Sequence, residues 1–154
     1  MQEGLQAAQD LASQLNNSEV TNEHFLSALL GQSDGITRPL LEKIGANVDQ
    51  LQERLRSELE SRPKIHGSAA DLRISNELRT VLDSAEKEMS KLKDEFTSAE
   101  HYLLALSGSN VPAAKSLKDL GVTRDKLMQG LQQVRGSQRV TDQNPEGKFQ
   151  TLEK

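Results

Sequence analysis

The chain carries one passage twice. Glu23-His24-Phe25-Leu26-Ser27-Ala28-Leu29-Leu30-Gly31 returns as Glu100-His101-Tyr102-Leu103-Leu104-Ala105-Leu106-Ser107-Gly108. The correspondence extends upstream, where Leu5, Ala8, Ala12 and Leu15 keep the spacing of Leu82, Ala85, Met89 and Leu92. Downstream, Leu41-Glu42-Lys43-Ile44-Gly45 answers to Leu117-Lys118-Asp119-Leu120-Gly121, and Asp49, Leu51 and Leu55 to Asp125, Leu127 and Leu131. A match that stays in register through a whole unit, with a one-residue shift, reads as gene duplication. It restricts the chain to folds that two copies of one small unit can build together.

Each unit reads as four helices. Leu5, Ala8, Leu11, Ala12 and Leu15 form an apolar stripe at helical spacing. The second helix runs from Glu23 to Leu30 and stops at Gly31, expected in a left-handed C-terminal position. The third runs to Ile44 and stops at Gly45. The fourth starts after Asn47, with Val48, Leu51, Leu55 and Leu59 on one face. The second copy repeats the pattern with stops at Gly108, Gly121 and Gly136. Thr21, Asn47, Ser75, Ser98 and Thr123 each stand two residues before an acid. That pairs a capping oxygen for an orphan N–H with a carboxylate in the positive field of the first turn.

The expected fold is therefore all-α, two pseudo-two-fold-related four-helix repeats followed by a flexible linker. Residues 1–61 form repeat 1, 62–74 an extended connector broken at Pro63 and Gly67, and 75–136 repeat 2. Residues 137–154 are polar, too poor in apolar surface to order themselves. Ending in a linker, the chain is expected to be a piece of a longer protein.

Composition narrows the chemistry. With no cysteine, disulfides, thiolate zinc sites and thiol nucleophiles are excluded. A net charge of −4 with no basic cluster argues against nucleic-acid binding. No apolar run approaches the roughly 20 residues of a membrane span, so a cytoplasmic, non-membrane protein is expected. No phosphate-binding glycine loop, dinucleotide fingerprint or zinc-protease motif occurs. The pairs Glu23-His24 and Glu100-His101 invite an acid–base or metal reading. Adjacent helical residues point about 100° apart, however, and both acids already have a first-turn role. Zinc would need three or four ligands. No catalytic residue, metal or cofactor is assigned. A seam between the copies, lined by apolar residues and rimmed by carboxylates, suits extended, partly apolar, cationic peptide segments.

The repeated unit that opens Glu-His-Phe-Leu in one copy and Glu-His-Tyr-Leu in the other resembles the Clp N-terminal repeat, found at the front of Clp AAA+ unfoldases. The connector Pro63-Lys64-Ile65-His66-Gly67-Ser68, the segment around Lys93-Asp94-Glu95-Phe96, and the tail from Arg135 to Glu146 closing with Leu152-Glu153-Lys154 are similar to the ClpB disaggregase branch. The resemblance implies a domain that grips unfolded or aggregated polypeptides. The full-length protein would be an ATP- and magnesium-dependent homohexamer working with the DnaK system, its ATPase rings and coiled coil lying beyond Lys154. The isolated domain would be a monomer. The substrate groove implied by the family comprises Leu78, Val81, Leu82 and Ala85, with Asp94 and Glu100 at its rim. The alternatives are a ClpA- or ClpC-type domain that binds adaptor proteins, or in some ClpC proteins phosphoarginine through Glu23 and Glu100, and a structural domain that regulates its own ATPase ring.

Overall fold

A computed structural model describes residues 2–32, 35–62, 72–94 and 98–135. Within them lie helices α1 (Gln2–Gln14), α2 (Asn22–Leu30), α3 (Thr37–Lys43), α4 (Val48–Glu60), α5 (Asn76–Lys91), α6 (Ala99–Ser107), α7 (Pro112–Asp119) and α8 (Arg124–Arg135). Two two-residue strands, β1 (Glu19–Val20) and β2 (Arg73–Ile74), pair in parallel with Val20 opposite Ile74. Most of the connector, the segment 95–97, Gly136 and the tail lie outside the described residues.

The helix starts follow the capping chemistry. Asn47 Oδ1 accepts the Gln50 N–H at 3.0 Å, and Ser75 Oγ accepts the Leu78 N–H at 3.1 Å. Pro112 opens α7, where a missing N–H costs nothing. The helix stops differ from expectation at two glycines. Gly31 has φ −81°, in the right-handed region, and Gly108 has φ −93°. Both close their helices without left-handed backbone. The left-handed positions are Gly45 (φ 87°) and Gly121 (φ 83°), as well as Asn16 (φ 57°) and Lys93 (φ 59°) at the ends of α1 and α5. At all four, the next residue's N–H reaches back five positions: Asn17 to Ala12, Ala46 to Leu41, Asp94 to Met89, and Val122 to Leu117, at 2.9–3.0 Å. This double closure satisfies the last carbonyls of each helix. Its occurrence at equivalent places in both repeats extends the duplication from sequence to backbone.

The two repeats share one core. Phe25 and Tyr102, which occupy equivalent positions, meet with ring centroids 4.6 Å apart and planes tilted by 53°. They mark the pseudo-two-fold axis, where α2 approaches α6. The symmetry breaks there: the Tyr102 hydroxyl donates to Asn22 Oδ1 at 2.7 Å, whereas the other copy offers Phe25 and Ala99. Away from the axis the repeats interlock. Within each copy the first helix packs on the second, but α3 lies against α8 and α4 against α7. Gly130 makes the first of these crossings close, since a Cβ there would sit 2.6 Å from Ile44 Cγ2. Arg54 to Asp119, at 2.7 Å, bridges the second.

Candidate functional site

Two histidines in the first turns of α2 and α6 anchor two polar buried corners. His24 Nδ1 accepts the Thr21 backbone N–H at 3.0 Å. A ring nitrogen that accepts a backbone N–H carries no proton, so Nε2 bears it and donates to Asn17 Oδ1 at 2.9 Å. Histidine thus takes the role that Glu usually plays in a capping box. Burial holds the His24 imidazole down at about 4, the Arg62 guanidinium adding to the effect and Glu23 opposing it. Glu23, 2 % exposed, accepts Arg62 Nη2 at 3.0 Å. Arg62 thereby fixes the end of α4 to the start of α2.

Repeat 2 rebuilds this corner with more charge. The Ser98 N–H donates to His101 Nδ1 at 2.8 Å, and His101 Nε2 donates to Asp94 Oδ2 at 2.6 Å. Ser98 Oγ lies 3.2 Å from Nδ1, so an Asp, a His and a Ser stand in a row. Their chemistry is nonetheless structural. Ser98 Oγ donates its proton to Glu100 Oε1 at 2.6 Å, and the imidazole lone pair faces a backbone amide. Ser98 and His101 are wholly buried. Asn17, Thr21 and His24 repeat the row without its charge, as a fold element would and a nucleophile relay would not. Among the described residues no group of three His, Cys, Asp or Glu is placed to hold a metal ion. These pairings could have been read from the sequence, since Asn17, Thr21 and His24 recur at one offset as Asp94, Ser98 and His101.

The six residues implied as a groove fall into three environments. Leu78, Val81 and Ala85 point into the core, at 0 %, 2 % and 0 % exposure. Asp94 and Glu100 lie in the buried corner rather than on an open rim. Leu82 alone is half-buried, on the flank of α5. One turn of that helix beyond Ala85, Glu88 takes two hydrogen bonds from Arg124 at 2.7 and 2.6 Å. Those bonds hold the Glu88 carboxyl below the usual carboxylate range despite its burial. Of the six, Leu82 therefore offers the one partly open apolar side chain, packed along one edge against the core. No described helix is long and apolar enough to cross a membrane.

The sequence model of the Clp repeat (R) N-terminal domain family matches residues 1–120. The chain is 42 % identical to the chaperone protein ClpB of Rhodopirellula baltica over 147 residues, 96 % of this chain and 17 % of that protein. It is 37 % identical to ClpB of Bacillus cereus over 156 aligned positions, covering 99 % and 18 %. It thus spans less than a fifth of the length of these relatives. The crystal structure of the Hsp104 N-terminal domain from Candida albicans superposes with a TM-score of 0.77 at 25 % identity, covering 91 % of each chain. The N-terminal domain of the ClpV1 ATPase from E. coli shares the fold, with a TM-score of 0.72, 23 % identity, and 88 % and 83 % coverage. With most of its length matched by the family and nearly all of it aligned to ClpB proteins, the chain belongs to the Clp repeat N-terminal domain family, in the branch that heads ClpB-type chaperones.

Proposed function

We propose that this domain grips unfolded or aggregated polypeptides for a ClpB-type disaggregase and passes them along the tail toward an ATPase motor. In this reading the motor lies beyond Lys154, binds ATP and magnesium, forms a hexamer, acts with the DnaK system and works in the cytoplasm. The alignment to ClpB proteins over 96 % of the chain is the observation that carries it. Leu82 is the proposed point of first contact, because it is only partly buried while Leu78, Val81 and Ala85 are closed into the core. Asp94 and Glu100 then act from below, by fixing the α5–α6 corner on which the contact rests. Apolar burial supplies about 25 cal/mol per Å². Ordering a disordered substrate offsets much of that, so binding is weak and reversible.

The test is an NMR titration of the chain with casein as an unfolded model substrate. Shifts should centre on Leu82, and Leu82→Ser should weaken them several-fold while the domain stays folded. Leu78→Ser, in the closed core, should instead cost about 2–5 kcal/mol of stability. Absence of shifts at about millimolar casein would rule out direct gripping. A domain that then bound an adaptor protein would be read as the ClpA or ClpC kind.

A further inference from the structure

The duplication places the same face of the first helix twice on the molecule, and the two copies have diverged. On α5 and its C-terminal cap the row Ser84, Glu88 and Leu92 is interrupted at its centre by the ion pair with Arg124. The matching row on α1 and the turn that closes it is Ala7, Leu11 and Leu15, spaced four apart along one flank. All three are half-buried and apolar. One row further out stand Glu3, Asp10 and Gln14, all exposed.

Charge is unevenly distributed as well. Residues 1–37 contain Glu3, Asp10, Glu19, Glu23 and Asp34 and no lysine or arginine. Of the chain's net −4 they carry −5, and residues 38–154 carry +1. Within this segment Glu23 is neutralised by Arg62, and Arg73 stands opposite Glu19 across the strand pair. Glu3 and Asp10 therefore border the apolar row with negative charge and no lysine or arginine on their own helix. Neighbouring carboxylates beside leucine side chains complement a strand or helix that alternates cations with aliphatic groups.

We propose that the Ala7–Leu11–Leu15 flank of α1 is a second contact surface, on repeat 1, for cationic, leucine-bearing segments of unfolded polypeptide. It rests on the reading that the domain takes up polypeptide, and it adds both a location and a substrate class. Leucines of the segment pack on Leu11 and Leu15, and its lysines or arginines face Glu3 and Asp10. Repeat 2 does not offer this surface, since Glu88 and Arg124 occupy the equivalent place.

The experiment titrates the full 154-residue chain with a short synthetic peptide of interleaved leucine and lysine, followed by amide NMR. A matched peptide with glutamate for lysine, and casein, serve as comparisons. Shifts should cluster on Ala7, Leu11 and Leu15, and the lysine peptide should bind about tenfold more tightly than the glutamate one. Asp10→Lys, at an exposed position, should weaken the lysine peptide by about threefold to fivefold without unfolding the domain. Raised salt should erase most of that difference. Leu11→Ser should weaken both peptides. Shifts confined to Leu82 and its neighbours would overturn this proposal and leave the gripping function standing. Equal binding of the two peptides, or indifference to Asp10→Lys, would overturn the charge argument that carries it. No shift with either peptide or with casein would overturn both readings.

Discussion

At the scale of single residues, the two histidines show how much of a helix start can be set by one side chain. His24 must be neutral to accept the Thr21 N–H, and burial keeps it so down to about pH 4. In the unfolded chain the same imidazole takes a proton near 6.5. The unfolded state therefore binds more protons between those values, and stability falls as pH drops from about 6.5 to 4. The full depression corresponds to roughly 3 kcal/mol. Replacing the histidine by glutamine, a usual capping-box partner, should keep the cap and flatten the upper part of this profile. Urea midpoints measured between pH 6.5 and 5, above most carboxylate titrations, would test this. An unchanged slope would show that the cap does not depend on an unprotonated ring. The neighbouring serine, histidine and aspartate of repeat 2 carry the same lesson. A row of reactive residue types acquires its meaning from which atoms donate, and here the donors are spent on the fold.

Among the elements, the helix ends separate glycines that are needed from glycines that are tolerated. Gly45 adopts φ 87°, where an L side chain is strained by about 1–2 kcal/mol. Gly31 adopts φ −81°, and an added Cβ would meet nothing closer than the Ala28 carbonyl oxygen at 3.5 Å. Gly45→Ala should lower stability by about 1 kcal/mol or more, while Gly31→Ala should leave it unchanged or slightly raised. Thermal melts of the two variants would check the contrast, and equal losses would contradict it. Sequence alone gave both glycines the same role, because both follow an apolar helical run. What distinguishes them is the chain's exit direction, which a residue type does not encode. Asn16 and Lys93 are the converse case: neither is a residue whose presence demands left-handed backbone, yet both adopt it.

For the whole molecule, stability depends on the interlocking of the two copies. Neither repeat closes its core alone, since α3 rests on α8 and α4 on α7. Gly130 is the sharpest test of that crossing. In an isolated helix Gly→Ala gains up to about 1 kcal/mol. At Gly130 the new methyl would lie 2.6 Å from Ile44 Cγ2 and 3.1 Å from Leu40 Cδ1, both in the opposite repeat. The steric term should win, and Gly130→Ala should destabilise by about 1–3 kcal/mol in a denaturant titration. A stabilised variant would mean that the repeats can part slightly without loss. The pairing of Phe25 with Tyr102 places a duplicated position on the axis itself, where one hydroxyl gives the two halves different partners.

The number of units, the helical periodicity, the capped starts and the family are all legible in the string of residues. These depend on residues close together in the chain, or on register kept between two copies. The sequence also marked α5 as a helix with one apolar face. It could not decide which leucine of that face stays open, because Leu78 and Leu82 differ only in what the rest of the fold lays over them. The partners of His24 and His101, the tie from Arg62 to Glu23, the strand pair across the connector and the crossing at Gly130 were likewise settled only in three dimensions. Each joins separate elements, and their relative placement follows from packing the whole core at once rather than from any local preference.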